Sequence, residues 1–540
     1  MNKKWPKVTI GMTIAMAVVL TGCGGGKDTP AESGKKSEAV SANVNATGFP
    51  IAKEKITLNI AGFKPPSGKD LNDYKIYQDI EAKTNIHINW NLTPGSAWQE
   101  KKNLLFAGGE LPDAFYAHGI LNEETDIVKY GSQGVLIPLE GLIDKYAPNV
   151  KKLLQDNPTY KKQLTAPDGH IYSLPTINES YPRTKSTMFI NKKWLDELKL
   201  PMPTTTDELY KTLKAFKEND LGGKNKKDQI PLSFINNPSY PNNDVNAFFG
   251  AFGRIDRDMH KAGNNHLSVE NDKVIYTAVQ PAFKEAIQYF NKLFAEGLAD
   301  PESFTQDSKV LTSKTTNGIV GVAFDWNPNN QDYVSLPPLK GPNGKDPVWA
   351  DYASSILARG SFAITKVNKH PEATIRWIDY IYTPVASLQL SNGVIGSDAL
   401  KERPDGKYDI STLPAGANED EFRKAPAGSY SVWAVTKAVD DLKVIVPSGK
   451  RTKVDVDNVY GKYLIDNAFP KTYLTAEESD QISRYLTDID SYVSKMYAKW
   501  MMSGGIENEW DDYVKKLNDM GLDKMMKIYQ QVYDRYKALK

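Results

Sequence analysis

An α/β fold built as two lobes, with a helical carboxy-terminal part, is expected from three features of this chain. Strand and helix patterns alternate from Ile56 onward, a polar aromatic passage between Pro167 and Pro203 joins two apolar runs, and helical apolar stripes fill the last stretch. Such alternation implies a mainly parallel sheet, and ligands of such sheets sit at the carboxyl ends of the strands. With 540 residues, 40% hydrophobic and 25% charged, the chain is long enough for two domains with proper cores.

Lys3, Lys4 and Lys7 open the chain, Val8 to Leu20 is uncharged, and Leu20-Thr21-Gly22-Cys23 follows at once. The run is too short for a stable transmembrane helix and reads as the core of a secretory signal, residues 1–22. Cys23 is the only cysteine, so an exported chain offers it no disulfide partner within itself. No second apolar run of spanning length occurs, so the body is expected to lie outside the membrane. Residues 23–50 are mostly Gly, Ser, Ala, Asn and Lys, too polar to repay their ordering entropy, and read as a flexible tether. The 67 basic and 66 acidic residues balance, to a net of −2 without the three signal lysines. No basic stripe stands out, which argues against a nucleic-acid partner.

The elements follow in order. Ile56-Thr57-Leu58-Asn59-Ile60 reads as a strand, Leu71 to Lys83 as a helix, and Ile86 to Trp90 as a second strand with period two. Ser96 and Gln99 make a capping box for a helix through Phe106 that Gly108-Gly109 ends, and Leu111 to Tyr116 is a third strand. Pro167-Asp168-Gly169 sets a turn, Ile171 to Leu174 a strand that Pro175 stops, and Met188 to Asn191 a strand leading to a helix at Trp194, Leu195 and Leu198. This passage is read as the hinge, with the cleft beside it as the site. Ile319 to Phe324 is a further strand. Thr475 with Glu478 caps a helix whose stripe runs Ile482, Leu486, Ile489, Val493, Met496 and Trp500, and two more stripes follow around Tyr513 and Tyr529.

Several motifs in fixed order carry a resemblance: the Cys23 segment, Gly108 to Asp113 (Gly-Gly-Glu-Leu-Pro-Asp), Gly169 to Pro175, Ile190 to Leu195, Pro203 to Leu209 with its Thr205–Glu208 capping box, Pro337 to Pro342, and Pro371 to Tyr380. Together they resemble the family 1 extracellular solute-binding lipoproteins of carbohydrate ABC importers, closest to the large LplA-like lipoproteins of Gram-positive bacteria. The resemblance implies a periplasmic-binding-protein-like clamshell with discontinuous lobes, 51–178 with 303–352 and 179–302 with 353–540. It implies diacylglyceryl attachment at Cys23, anchoring on the outer face of the cell membrane, capture of an oligosaccharide in the interlobe cleft, and delivery to membrane permease subunits by a monomer that does no chemistry and needs no cofactor.

The residues agree with that abstention, since His87, His118, His170, His260, His266 and His370 show no zinc-like spacing and no Gly-x-Ser-x-Gly or phosphate loop occurs. Sugar recognition needs flat apolar faces for C–H surfaces and planar polar groups for hydroxyls. Trp194, Trp377, Trp500 and Trp510 fall on helical apolar faces and are assigned to core. The ligand candidates lie in loops after strands: Tyr116 and His118, Glu179 and Tyr181 in the passage, Tyr240 in a Pro- and Asn-rich stretch, Asp325 and Trp326, Trp349 and Tyr352, and Trp433. At least three of Tyr116, Trp326, Trp349 and Trp433 are expected to line the cleft. The loop Asp220 to Asp228 resembles a calcium loop of relatives, but Gly222 and Lys224 stand where ligands are needed, so Asp220 and Asp228 remain weak metal candidates and a plain surface loop is expected. A peptide or other organic solute is the alternative ligand; a lipid-anchored enzyme acting on polysaccharide, or the ligand-presenting subunit of a sensor, is the alternative class.

Overall fold

The structure is a computed structural model describing residues 42–65, 69–180, 183–223, 225–237, 243–256, 266–328, 330–352, 357–411, 422, 430–445 and 453–539. Cys23, the signal and the tether as far as residue 41 lie outside the described residues, as do Tyr181, Lys224 and Tyr240.

The strands of the two main sheets and of the pair beside them are, in chain order, Ile56–Phe63 (β1), Ile86–Thr93 (β2), Ala114–Tyr116 (β3), Leu174–Asn178 (β4), Thr187–Asn191 (β5), Ile230–Ser233 (β6), Val320–Asp325 (β7), Tyr333–Ser335 (β8), Trp349–Ala350 (β9), Leu357–Ile364 (β10), Ala434–Val435 (β11) and Leu464–Ile465 (β12). The first sheet has the order β11-β4-β10-β3-β1-β2 and the second β8-β5-β7-β6, while β9 pairs with β12. In the first sheet β2, β1 and β3 are parallel, as are β4 and β11, with β10 antiparallel between β3 and β4.

The chain leaves the first sheet after β4, enters the second at β5, returns between β9 and β10, and crosses again after Ile445. This corrects the expected lobe boundaries. Residues 320–325 and 333–335 pair with β5 and not with the first sheet, and residues 357–364 form a central strand of the first sheet. One apolar core runs from Val44 to Ile177 and from Leu357 to Val439; the other runs from Met188 to Tyr352 and from Val456 to Val532. Which sheet a strand joins depends on long-range pairing that no local pattern encodes.

Three local expectations also change. The tether ends early: Val44 is buried and bridges Ala52, and Arg376 donates to the carbonyls of Asn45 and Gly48. Pro175 lies inside β4 instead of ending it, because the register against β10 shifts there and its missing N–H breaks no ladder bond. Ser96 makes no capping bond; it sits in a short 3-10 turn, and the helix Trp98–Gly108 starts from Ala97. The capping boxes at Thr205 and Thr475 form as expected.

The last part is helical, with Ala476–Ser503 (α1), Ile506–Asp519 (α2) and Leu522–Ala538 (α3) packed on the second core. Trp194, Trp377 and Trp500 are buried, and Trp510 packs half-buried against Trp500 at 6.3 Å between ring centroids.

Candidate ligand site between the two sheets

Because the chain leaves the first sheet at the carboxyl end of β4, that end faces the second body. Because it enters the second sheet at the amino end of β5, that end and the carboxyl end of β7, paired through Thr187 and Asp325, face back. The site is built on these two facing edges.

The first edge is aromatic. Phe63 closes β1 and packs edge-on against Trp98 at 5.8 Å and Tyr430 at 5.4 Å between ring centroids. His118, exposed beyond β3, donates its backbone N–H to the Tyr430 carbonyl at 3.0 Å and stacks on Trp433 at 6.4 Å. Trp433 is 7% exposed, and its indole N–H finds no acceptor among the described residues. Tyr430 is 42% exposed at φ +67°, a left-handed conformation that costs a non-glycine residue about 1–3 kcal/mol. A bulky ring held strained and exposed is an arrangement that packing alone does not explain. Gly360 at φ +65° lets this wall form: a Cβ there would lie 2.3 Å from the Leu121 carbonyl oxygen.

The second edge is polar. The Asp325 carboxylate accepts from the Trp326 backbone N–H at 2.6 Å and the Asn243 side-chain amide at 3.2 Å, with Trp326 half-exposed at the strand end. Asp244 accepts from the Ser186 hydroxyl at 3.1 Å and the Asn246 N–H at 2.9 Å. Lys185, just before β5, is half-buried with its ammonium 5.1 Å from the centre of the Tyr352 ring. Burial holds its pKa below the ordinary lysine value, with the Asp244 charge opposing the shift.

The passages between bodies are knitted together. Arg183 pairs with Asp351, and Asp457 accepts the backbone N–H groups of Arg183 at 2.8 Å and Thr184 at 3.0 Å. The N–H of Tyr352 donates to the Arg183 carbonyl at 3.0 Å.

Of the residues expected at the site, His118, Trp433, Asp325 and Trp326 lie on these edges. Tyr116 does not: at 1% exposed it stands among Tyr77, Trp90 and Trp377, its hydroxyl 3.1 Å from that of Tyr77, and burial pushes its pKa up to about 12. Trp349, also 1% exposed, packs on Tyr460 in the second core. Only Trp326 and Trp433 remain of the four rings. Tyr352 is buried under Lys185. Glu179 has both oxygens engaged inside the first body, by the Tyr160 hydroxyl and the Lys437 N–H at 2.8 Å each. Phe63, Tyr430, Asn243, Asp244 and Lys185 were not anticipated; Phe63 ends β1 and Lys185 stands two residues before β5, a local signal that Tyr430, Asn243 and Asp244, four or more positions from the strands that flank them, do not share. In the loop near Glu197, Asp220 and Asp228 are exposed, and Glu197 accepts the Gly222 N–H at 2.8 Å. Among the described residues no group of three or more His, Cys, Asp or Glu side chains is disposed to hold a metal.

Two bodies joined by three passages, with rings on one facing edge and carboxylate, amide and ammonium groups on the other, form the architecture of a ligand-binding protein. The chain belongs to the bacterial extracellular solute-binding protein family, matched over residues 68–388. It is 35% identical over 555 residues to the fructooligosaccharide ABC transporter substrate-binding protein FusA of Streptococcus pneumoniae serotype 4, covering 100% of this chain and 99% of FusA. The structure of FusA in complex with kestose matches 90% of this chain and 100% of that one with a TM-score of 0.75 at 35% identity. The polygalacturonan/rhamnogalacturonan-binding protein YtcQ of Bacillus subtilis is 23% identical over 99% of this chain and 100% of its own length. The chain is accordingly a binding protein and not an enzyme.

Proposed function

We propose that this chain is the substrate-binding component of a carbohydrate ABC importer, capturing an oligosaccharide of the fructan type between its two bodies and presenting it to membrane permease subunits. In this reading Cys23 carries a lipid that holds the protein on the outer face of the cell membrane. The full-length 35% identity to a fructooligosaccharide-binding protein carries the proposal. The facing edges support it: sugar C–H faces suit the rings of Phe63, Tyr430 and Trp433, and hydroxyls suit Asp325, Asn243 and Trp326.

Isothermal titration of the body from residue 43 onward, against kestose, longer fructooligosaccharides, galacturonan fragments and short peptides, tests the reading. Binding confined to fructooligosaccharides supports it. Binding of galacturonan fragments alone would move the cargo to acidic sugars, and binding of peptides alone would overturn it.

A further inference from the structure

Lys185 is a cation that the fold places at an awkward position. It stands two residues before Thr187, which pairs with Asp325 at the edge facing the first body, and its neighbour Ser186 bonds Asp244. Its backbone is held, since its carbonyl accepts the indole N–H of Trp349 at 3.5 Å. Its side chain is half-buried, yet among the described residues no hydrogen bond or salt bridge reaches the ammonium, and Asp244 acts on it through its charge alone. The Tyr352 ring at 5.1 Å offers only its face, and that ring is itself buried. The carboxylates nearby are engaged elsewhere: Asp351 pairs with Arg183, Asp457 accepts two backbone N–H groups, and Asp244 accepts from the Ser186 hydroxyl and the Asn246 N–H. An ammonium withdrawn from water with donors unmet is costly, and a structural role would be served better by an apolar side chain of the same length.

We propose that Lys185 is a ligand-binding residue, whose ammonium donates hydrogen bonds to oxygen atoms of the captured saccharide at the base of the space between the two sheets. The proposal rests on the oligosaccharide reading and deepens it. Three donors on a rotatable centre suit a hydroxyl pair on adjacent carbons. The Tyr352 face beneath fixes the direction in which the ammonium points without competing for those donors. The desolvation cost is then offset only when ligand is present, so the residue favours the liganded state.

The test compares Lys185→Met and Lys185→Gln with the unaltered protein, by titration with kestose and longer fructooligosaccharides and by thermal unfolding without ligand. Lys185→Met is expected to weaken binding at least tenfold while leaving the unliganded melting temperature unchanged or higher. Lys185→Gln, which keeps two donors, is expected to weaken binding less. Methionine-variant affinity within twofold of the unaltered protein overturns the proposal, as does a folded methionine variant that melts lower without ligand, which would mark a packing role. Should that variant not fold, glutamine-variant affinity within twofold overturns it equally. If the unaltered protein binds no oligosaccharide, the functional reading fails and takes this inference with it.

Discussion

At the scale of single residues, the site's first edge makes a separable claim about two rings. Tyr430 is exposed and already in the left-handed region, where asparagine is well tolerated. Tyr430→Asn should therefore leave the unliganded melting temperature within about 2 °C, a shift well under 1 kcal/mol. Affinity should fall roughly tenfold, or about 1.4 kcal/mol, through loss of the ring face. Trp433 differs because it is packed and carries a buried indole N–H that has no acceptor among the described residues. Trp433→Phe removes a donor that is expensive to leave unmade, so unliganded stability should hold or rise. If the N–H serves ligand, titration should show weakened binding in the same variant; unchanged affinity would return Trp433 to the core.

Single elements show where sequence reading succeeds and where it stops. Local chemistry was legible: the Thr475–Glu478 pair forms its reciprocal box, with bonds of 3.1 and 2.8 Å, whereas Ser96, two residues before its helix, makes none. Thr475→Ala should accordingly cost about 1 kcal/mol in denaturant unfolding, and Ser96→Ala less than about 0.5 kcal/mol. Equal losses would contradict the difference. Burial was not legible in the same way. Phe115 and Tyr116 are consecutive, so alternation would put one of them outward, but β3 lies between β1 and β10 and is covered on both faces. Lys185 was invisible for the converse reason, since its environment is assembled from residues near 244 and 352 that only the fold brings close.

The turn before β4 gives a pH-dependent case. Glu140 accepts from the His170 ring and from the Ile171 N–H at 3.2 Å, and the hydrogen bond to Glu140 raises the His170 pKa above the ordinary histidine value. The folded state thus binds this proton more tightly than the unfolded chain. Its stabilisation is fully present below about pH 6.5, the unfolded value, and is lost as pH rises through the raised one. NMR titration should place the His170 ring above 6.5, and Glu140→Gln should return it toward that value.

At the scale of the whole molecule, the carboxy-terminal helices are more than a covering for the second core. Tyr473, just ahead of α1, is buried in a cluster of the first body with Ala61, Phe115, Tyr172 and Ala363. The Arg359 guanidinium lies 4.3 Å from its ring centre, its hydroxyl is 3.4 Å from that of Ser173, and its carbonyl accepts from Arg535 of α3 at 2.9 Å. Beside it Lys471 donates to the Leu357 carbonyl at 2.7 Å, and α1 packs on the Glu123–Val128 segment of the first body. One ring from the helical block therefore completes the core of the opposite body, at a point distinct from the three passages. A hinge motion has to pivot about this contact or release it, and unfolding of either body exposes it. Tyr473→Ala removes a fully buried ring and should cost about 3 kcal/mol. Its sharper signature is cooperativity: calorimetry of the unaltered protein should show one transition, and the variant should show two, with the first body melting earlier. A single transition at an unchanged midpoint in the variant would mean that Tyr473 packs against the first body without coupling it to the second.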